Sequence, residues 1–446
     1  MPRRTPSASL KEVRLPPSKS FVTPTGLTVL AAERGPLPLV ALRLTAWAGS
    51  AADPRGKRGL ADFAVRLLRR GTRSAGAEAI NEAVERVGGT LSMGAGEDTL
   101  ALHINAPAEH VGPMLKVLAS LVCEPSFPQK EVRTARERLL ASLANDLDDP
   151  SSLADRAMSQ AYWGNHPYAH DTGGTRTDVE GFTRGDVVRF HREVMGPRVS
   201  LLSVVGAVDV RKLRGQVEKA FRPFRGGPSQ PPVIPALEQV PSASVVVVDK
   251  PEQSQSQVRL VGRGMPRRDP DFMASKVLET ILGGGFTSRL METIRVNRGL
   301  SYSVGAAFDR HRADGNFLIA TFTKTGSTRE IIDAALDEVR GLREGGPTDA
   351  EMNTAKQLLV GLYPLRFETN DSIAAALADL RMYEMGEDWV ERYRSRVQAV
   401  TAEEVGRVAD KYLFPQPPLV VVVGNAKAVL PQLKGLGKVK VVRPSE

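Results

Sequence analysis

The residues of this chain that could most readily do chemistry are few. His166 and His170 stand four apart in Asn165-His-Pro-Tyr-Ala-His170. Two imidazoles at that spacing share one helix face and can hold one Zn²⁺. Pro167 lies between them and disfavours the helix this requires, so His166 reads as a hydrogen-bonded loop residue. The other four histidines, His103, His110, His191 and His311, are scattered. Cys123 is the single cysteine. It has no sulfur to pair with, which fits a reducing compartment, and no His-Asp constellation marks it, so it reads as core. Gly283-Gly-Gly285 could suggest a phosphate loop, but no Lys-Ser or Lys-Thr follows at P-loop spacing. It reads as a helix break before Phe286-Thr-Ser-Arg-Leu290.

The elements that must position any site fall into two similar halves. In the first, Leu27–Ala32 and Leu37–Ala48 read as strands around a turn at Arg34–Pro36. Gly59–Arg70 carries Leu60, Phe63, Ala64, Leu67 and Leu68 at helical spacing. A helix follows at Glu78–Val87, then strands at Thr90–Met93 and Thr99–Ala106, then helices at Ala108–Leu121, Pro128–Asp146 and Pro150–Tyr162. Thr183 caps a helix with Asp186 at the capping-box position, and Val199–Val205 is a buried strand before a helix through Ala220. Phe224–Pro235, rich in Gly and Pro, reads as a linker. In the second half, Ser244–Val248, Gln255–Gly262, Tyr302–Asp309, Asn316–Thr323 and Leu419–Val423 read as strands. Asp271–Leu282, Ser288–Asn297, Ser327–Arg343, Thr348–Glu368, Asp371–Met385 and Trp389–Val397 read as helices, and Thr401 with Glu404 boxes one more.

The two halves are in register. Thr183 and Thr401 lie 218 residues apart, as do Gly206 and Gly424, while Glu131 and Glu351 lie 220 apart. A duplicated α+β domain accounts for this. The domains are read as residues 1–225 and 241–446, joined by a linker at 226–240.

Gly59-Leu-Ala-Asp62-Phe-Ala-Val65-Arg66-Leu-Leu-Arg-Arg-Gly71-Thr72 resembles the zinc helix of the pitrilysin/insulinase family, which includes mitochondrial processing peptidase and the cytochrome bc complex core proteins. Active members read G-x-A-H-x-x-E-H, then an apolar pair and G-T. Gly59, Ala61, Leu67, Gly71 and Thr72 match that frame. The chemical positions do not: Asp62 replaces the first His, Val65 the Glu, and Arg66 the second His. Val65 cannot take a proton from a metal-bound water. Arg66 places a permanent positive charge where a dication would sit. The family's third ligand, a Glu, falls by spacing on Ser142, within a Leu140–Pro150 segment similar to the family's own. All four positions depart together, so no metal is expected at this site.

The second half keeps another family signature. Ser288-Arg-Leu290-Met-Glu-Thr-Ile-Arg295-Val-Asn-Arg298-Gly299-Leu300-Ser-Tyr302-Ser-Val304 resembles S-R-L-x-x-x-I-R-x-x-x-G-L-x-Y-x-V. The resemblance implies that Arg295 binds backbone carbonyls of a peptide and that Tyr302 donates a hydrogen bond to the tetrahedral oxyanion, the charge that a preorganised donor stabilises. The plainer reading pairs Arg295 with Glu292 or Glu279 and packs Tyr302 in a strand. Arg289 and Arg298 are lesser candidates. The resemblance runs from about Phe21 to Lys427, and the tails add no legible motif.

The expected fold is therefore α+β: two related metallopeptidase-like α/β sandwich domains, each a mainly antiparallel sheet with helices on one face. The expected function is that of a zinc-less, non-catalytic subunit of a heterodimeric metalloendopeptidase. Arg295 and Tyr302 would serve a zinc site held by an H-x-x-E-H partner of the same family, around a chamber for unfolded peptides. A substrate strand would add to a sheet edge of the active partner. The alternative is a purely structural or peptide-binding protein like the bc-complex core proteins; an enzyme using Asp62 or His166 for different chemistry is set aside. No cofactor is expected in this chain, and zinc is expected in the partner. The net charge is +9, but Lys and Arg are mixed with Asp and Glu rather than interleaved with aromatics, so nucleic acid is not the expected partner. No apolar run is long enough to span a membrane. The start has no secretory h-region, so a cytoplasmic location is expected, or a periplasmic one if a signal has been removed.

Overall fold

The structure is a computed structural model that describes residues 12–444 apart from His170, Ser242 and Glu387. His170, half of the His166/His170 pair, therefore lies outside the described residues.

Strands β1 (Ser18–Val22), β2 (Thr28–Glu33), β3 (Leu39–Ala46), β4 (Thr90–Ala95), β5 (Leu100–Pro107) and β6 (Ser200–Gly206) form one sheet, in the order β1-β2-β6-β3-β5-β4. Strands β7 (Ser244–Asp249), β8 (Gln255–Arg263), β9 (Val304–Arg310), β10 (Gly315–Lys324), β11 (Leu419–Gly424) and β12 (Lys438–Val442) form the other, in the order β12-β7-β11-β8-β10-β9. Without β1 and β12 the two orders coincide strand for strand. The pairs β2–β6 and β7–β11 are parallel, and the other inner pairs are antiparallel. The sixth strand comes from opposite ends of the chain: β1 joins β2 antiparallel, whereas β12 joins β7 parallel.

Sequence dictates the character of each strand. Leu419-Val-Val-Val-Val423 is apolar throughout because β11 is buried on both faces. β5 alternates buried and half-buried residues because only one of its faces meets a full helix layer. Capping boxes at Thr183/Asp186, Thr348/Glu351 and Thr401/Glu404 start three of the helices.

Some elements differ from the sequence-based expectation. The Thr348–Glu368 helix is α-helical only over Asp349–Leu362 and continues as a 3₁₀ turn at Tyr363–Phe367, where Pro364 removes a backbone donor. The strand expected from Tyr302 begins at Val304, which leaves Tyr302 in the loop before it. The helix expected over Ser288–Asn297 is a π-helix from Met291 to Asn297. β12 was not expected at all, although Lys438-Val-Lys-Val-Val alternates with period two and carries the lysines that blunt an edge strand.

Each sheet is covered on one face by its own half's helices and on the other by a single helix lent from the opposite half. The helix Pro150–Trp163 lays Leu153, Ala154, Met158, Tyr162 and Trp163 on Val248, Val261, Leu419, Val421 and Val423 of the second sheet. The helix Asn370–Met382 lays Ile373, Ala374, Leu377 and Ala378 on Leu30, Ala32, Ala41, Leu201 and Val205 of the first. The two helices begin 220 residues apart, at Pro150 and Asn370, the spacing of the repeat, so equivalent helices are exchanged.

Polar contacts close the seam. Tyr162 Oη donates to Gly315 O at 3.1 Å. The buried Arg259 guanidinium donates to Asp155 at 2.6 Å and Ser151 Oγ at 2.8 Å. Asp98 accepts from Tyr168 Oη at 2.6 Å, from the Arg312 backbone N–H at 2.7 Å and from Tyr383 Oη at 3.3 Å. Between Ala220 and Ser244 the described residues form neither helix nor strand, yet this segment is strapped down. Pro232 O accepts from Arg312, Pro235 O meets His166 Nε2 at 2.7 Å, and Leu237 N–H donates to Asp314.

His311 sits in this seam, 3.3 Å from the Asp309 carboxylate and stacked at 4.4 Å on Tyr168. Burial alone would lower its pKa. The Asp309 carboxylate, with the fields of Glu97 and Asp98, outweighs burial and holds the imidazolium above its ordinary value. A raised folded-state pKa contributes stability that is fully present below the unfolded value of about 6.5 and is lost as pH rises through the folded value. The urea midpoint is accordingly expected to fall between pH 6 and pH 8.5, and His311→Gln is expected to flatten that part of the profile. An unchanged slope in His311→Gln would assign the dependence elsewhere.

Candidate functional site

The first candidate centre is the helix Leu60–Leu68. Gly59 precedes it in the left-handed region at φ 88°, and an added Cβ would lie 2.7 Å from the Gly173 backbone; only glycine fits both demands. Asp53 caps the helix, accepting from Gly59 N–H and Ala61 N–H at 2.7 Å each. The frame residues that resemble a zinc helix are thus fixed by backbone contacts.

The chemical positions are occupied by a closed pair. Arg66 Nε donates to Asp62 Oδ2 at 2.5 Å, one helical turn away. The Asp62 side chain is buried, while Arg66 is 67% exposed. The Ala95 N–H of edge strand β4 reaches Asp62 Oδ1 at 3.4 Å. Val65 is buried and lines an apolar seam with Leu100, Phe190 and Met195. Ser142 is exposed near the end of the helix Gln129–Asp146 and adds no contact to the Asp62–Arg66 pair. These residues do not fit zinc: one carboxylate is already neutralised by a guanidinium, and neither imidazole nor general base is present. Among the described residues no three His, Cys, Asp or Glu are grouped to hold a metal ion. The purified chain is expected to retain well below one equivalent of zinc after dialysis, measured by atomic absorption; a stoichiometric content would overturn this reading.

The second candidate centre lies in the other half. The π-helix Met291–Asn297 ends in Arg298 and Gly299, and the loop carries Tyr302 back to β9. π-turns widen the helix by one residue and recur at functional sites. The Arg295 guanidinium carbon lies 5.4 Å from the Phe286 ring centroid and 5.9 Å from that of Tyr302. Phe286 is 78% and Tyr302 80% exposed. The plainer pairing of Arg295 with Glu279 does not occur, because Glu279 holds Lys276 at 2.5 Å and Arg310 at 3.0 Å. Glu292 forms no ion pair with it either, so Arg295 has no carboxylate partner among the described residues.

Arg289 is different in kind: it grips Glu351 with two bonds of 2.6 and 2.9 Å and also donates to Gly346 O, which ties this segment to the helix Asp349–Leu362. Arg298 is exposed. The triple glycine is explained by packing. A Cβ on Gly283 would lie 2.3 Å from Ala306 N, so glycine there lets the helix Phe272–Leu282 end against β9. The aromatic face of Phe286 is the part of this centre that sequence reasoning missed. Its signal, a large apolar residue directly after a glycine break, was visible.

The remaining reactive residues are accounted for structurally. Burial, with a contribution from Glu124, pushes the Cys123 thiol up to about 12, so it stays protonated and unreactive. Burial lowers His191 to about 4 against a raising backbone hydrogen bond, keeping it neutral beside Phe127. Ser92 Oγ bonds His103 Nε2, and Asp371 lies 3.3 Å from His103 Nδ1. This Ser-His-Asp row bridges the first sheet and the helix Asn370–Met382 across the seam.

Fold and site together define a metallopeptidase-like architecture of two related halves, with an ion pair and an apolar side chain at the positions that the sequence resemblance marks for a metal. Residues 28–176 match the family model described as insulinase (peptidase family M16), and residues 181–359 match the one described as the peptidase M16 inactive domain. The chain belongs to this family.

Among its relatives is a protein of Mycobacterium tuberculosis named an uncharacterized zinc protease, 28% identical over 97% of this chain and 98% of that one. Another, from Helicobacter pylori, is named non-peptidase homolog YmxG, with 26% identity over 77% of this chain and 79% of the relative. A crystal structure from Pseudomonas fluorescens, titled a peptidase M16 inactive domain, superposes with a TM-score of 0.86 at 26% identity, over 92% of this chain and 98% of that chain. No helix of the described residues is long and apolar enough to cross a membrane.

Proposed function

We propose that this protein is the zinc-less subunit of a heterodimeric metalloendopeptidase, and that it supplies Arg295 and Tyr302 to the active site of a zinc-bearing H-x-x-E-H partner. The observation that carries this reading is the contrast between the two centres. At the metal positions Asp62 and Arg66 satisfy each other, and Val65 is core. At the other centre Arg295 and Tyr302 stand side by side, exposed, with the guanidinium unpaired. Beyond their ring contacts neither side chain has an ion pair or hydrogen bond among the described residues, and both fit a peptide: Arg295 as donor to carbonyl or carboxylate oxygen, Tyr302 as donor to a developing oxyanion. The name of the Helicobacter relative supports the non-peptidase half of this reading.

The partner, unfolded peptide substrates and zinc in the partner subunit all belong to the proposal. The test is reconstitution with a zinc-bearing relative: cleavage of an unstructured fluorogenic peptide should need both chains and should drop sharply when Tyr302 becomes Phe. Equal cleavage by the partner alone would leave this chain a structural or peptide-binding protein of the same fold.

A further inference from the structure

The exposed large apolar side chains are not spread evenly. Phe286, Val296 and Tyr302, 78%, 62% and 80% exposed, lie on the segment that carries Arg295, and Leu358, Leu362 and Leu365, 36%, 52% and 56% exposed, lie on the helix Asp349–Leu362 and the turn after it. Leu358, Leu362 and Leu365 follow at i, i+4 and i+7, so they line one side of the helix Asp349–Leu362 and the 3₁₀ turn after it. Leu358 touches the Phe286 segment: a Cβ on Gly285 would sit 3.4 Å from Leu358 Cδ2. Arg289, bound to Glu351, fixes the two elements to each other. Single exposed leucines need no explanation, but Leu358 meeting the Phe286 segment joins apolar side chains from two elements beside Arg295, and joined apolar surface marks a binding site.

Charge says what the surface takes. Beside the apolar shelf stands Arg295, held between two aromatic rings with no carboxylate of its own, and Arg298 follows, exposed and without an ion pair among the described residues. A guanidinium of this kind is completed by a carboxylate, which it can receive through two parallel N–H bonds. A second apolar protein surface would leave that guanidinium desolvated and unpaired, at a cost. A peptide that carries a large apolar side chain next to a carboxylate satisfies both halves of the patch.

We propose that Phe286, with Leu358, Leu362 and Leu365, forms an apolar subsite beside Arg295 that takes a large apolar side chain of a bound peptide, while Arg295 receives an adjacent carboxylate, from Asp, Glu or the peptide's own carboxyl terminus. The subsite rests on the peptide-gripping reading of Arg295 but not on any partner subunit. It therefore adds a preference that the Arg295/Tyr302 pair alone would not give.

The test uses the full chain by itself and fluorescence anisotropy with three labelled decapeptides: one with Leu-Phe-Glu at its centre, one with Gly-Ser-Glu, and one with Leu-Phe-Gln. The first is expected to bind at least about tenfold tighter than either of the others. Phe286→Ser should remove the preference for Leu-Phe over Gly-Ser and leave the Glu-over-Gln preference in place; Arg295→Gln should do the reverse. Both residues are exposed, so the variants should keep the parent's circular dichroism and unfolding midpoint. Leu362→Ser supplies a second apolar variant from the other element.

Three results would overturn the proposal: no binding of any peptide, an unchanged Leu-Phe preference in Phe286→Ser and Leu362→Ser, or concentration-dependent self-association that Phe286→Ser abolishes. The last would mean that a second copy of the chain covers the patch. Loss of the Tyr302→Phe effect in the reconstituted pair, with peptide binding intact, would remove the supporting-subunit role and leave the subsite standing.

Discussion

Tyr302→Phe, assayed in a reconstituted pair with a zinc-bearing partner, is expected to lower kcat by about 10²-fold while KM moves little. The size follows from removing one preorganised donor to an oxyanion, worth about 3 kcal/mol of transition-state stabilisation. The split between kcat and KM follows from the same chemistry. In the proposed role the phenolic O–H would act only when charge develops on the carbonyl oxygen, so its loss should leave ground-state binding alone. Phe keeps the ring that lies 5.9 Å from the Arg295 guanidinium, so the substitution isolates the hydroxyl.

Arg295→Ala should behave differently. In the proposed role Arg295 would hold the substrate before and during reaction, so KM should rise, by roughly tenfold for a lost charge-assisted contact. Neither substitution should disturb folding, because Tyr302 is 80% exposed and Arg295 has no ion-pair partner among the described residues. A Tyr302→Phe pair with kcat within twofold of the parent would end the supporting-subunit reading. The bc-core-like structural alternative would then be preferred.

The parts of this molecule that were legible in the sequence are those set by local chemistry. Capping boxes at Thr183 and Thr401 are local hydrogen-bond patterns, and the structure has both. The duplication was readable because Thr183/Thr401 and Gly206/Gly424 occupy matching places, and the two sheet orders repeat accordingly. What the sequence hid is non-local. The Pro150 and Asn370 helices read as ordinary amphipathic helices; that each leaves its own half to cover the other's sheet is decided by which apolar face remains uncovered. The π-turn at Met291–Asn297 was hidden as well, because no residue type in it separates a π-helix from an α-helix. Asp62 and Arg66 stood out in the sequence as unlike the family's ligands, but their bond did not: the i, i+4 spacing allows it, and it partners the buried Asp62 carboxylate.

The exchanged helices make one buried carboxylate unusually costly to remove. Asp98→Ala is expected to destabilise the protein by about 3 kcal/mol, the cost of leaving buried donors without their charged acceptor. Asp98 is 6% exposed and accepts from three donors: Tyr168 Oη, which follows the Pro150 helix; Tyr383 Oη, at the end of the Asn370 helix; and the Arg312 N–H between β9 and β10. It therefore joins both exchanged segments at one point. Burial, then the Asp98 carboxylate, raises the pKa of Tyr168, so that phenol stays protonated and keeps donating. Alanine would strand two phenols and one backbone N–H.

Asp98→Asn should cost less, because its amide oxygen can still accept, though without the charge. Tyr168→Phe should cost less still, about 1 kcal/mol, since it leaves Asp98 its other two donors and otherwise loses only the 3.3 Å bond that Tyr168 Oη accepts from the Ala313 N–H. The ordering Asp98→Ala, then Asp98→Asn, then Tyr168→Phe, read from guanidinium unfolding midpoints, is the diagnostic result. If Asp98→Ala lost less than Tyr168→Phe, the carboxylate would not be the hub that holds the two halves closed, and the seam's stability would rest on the apolar faces of the exchanged helices alone.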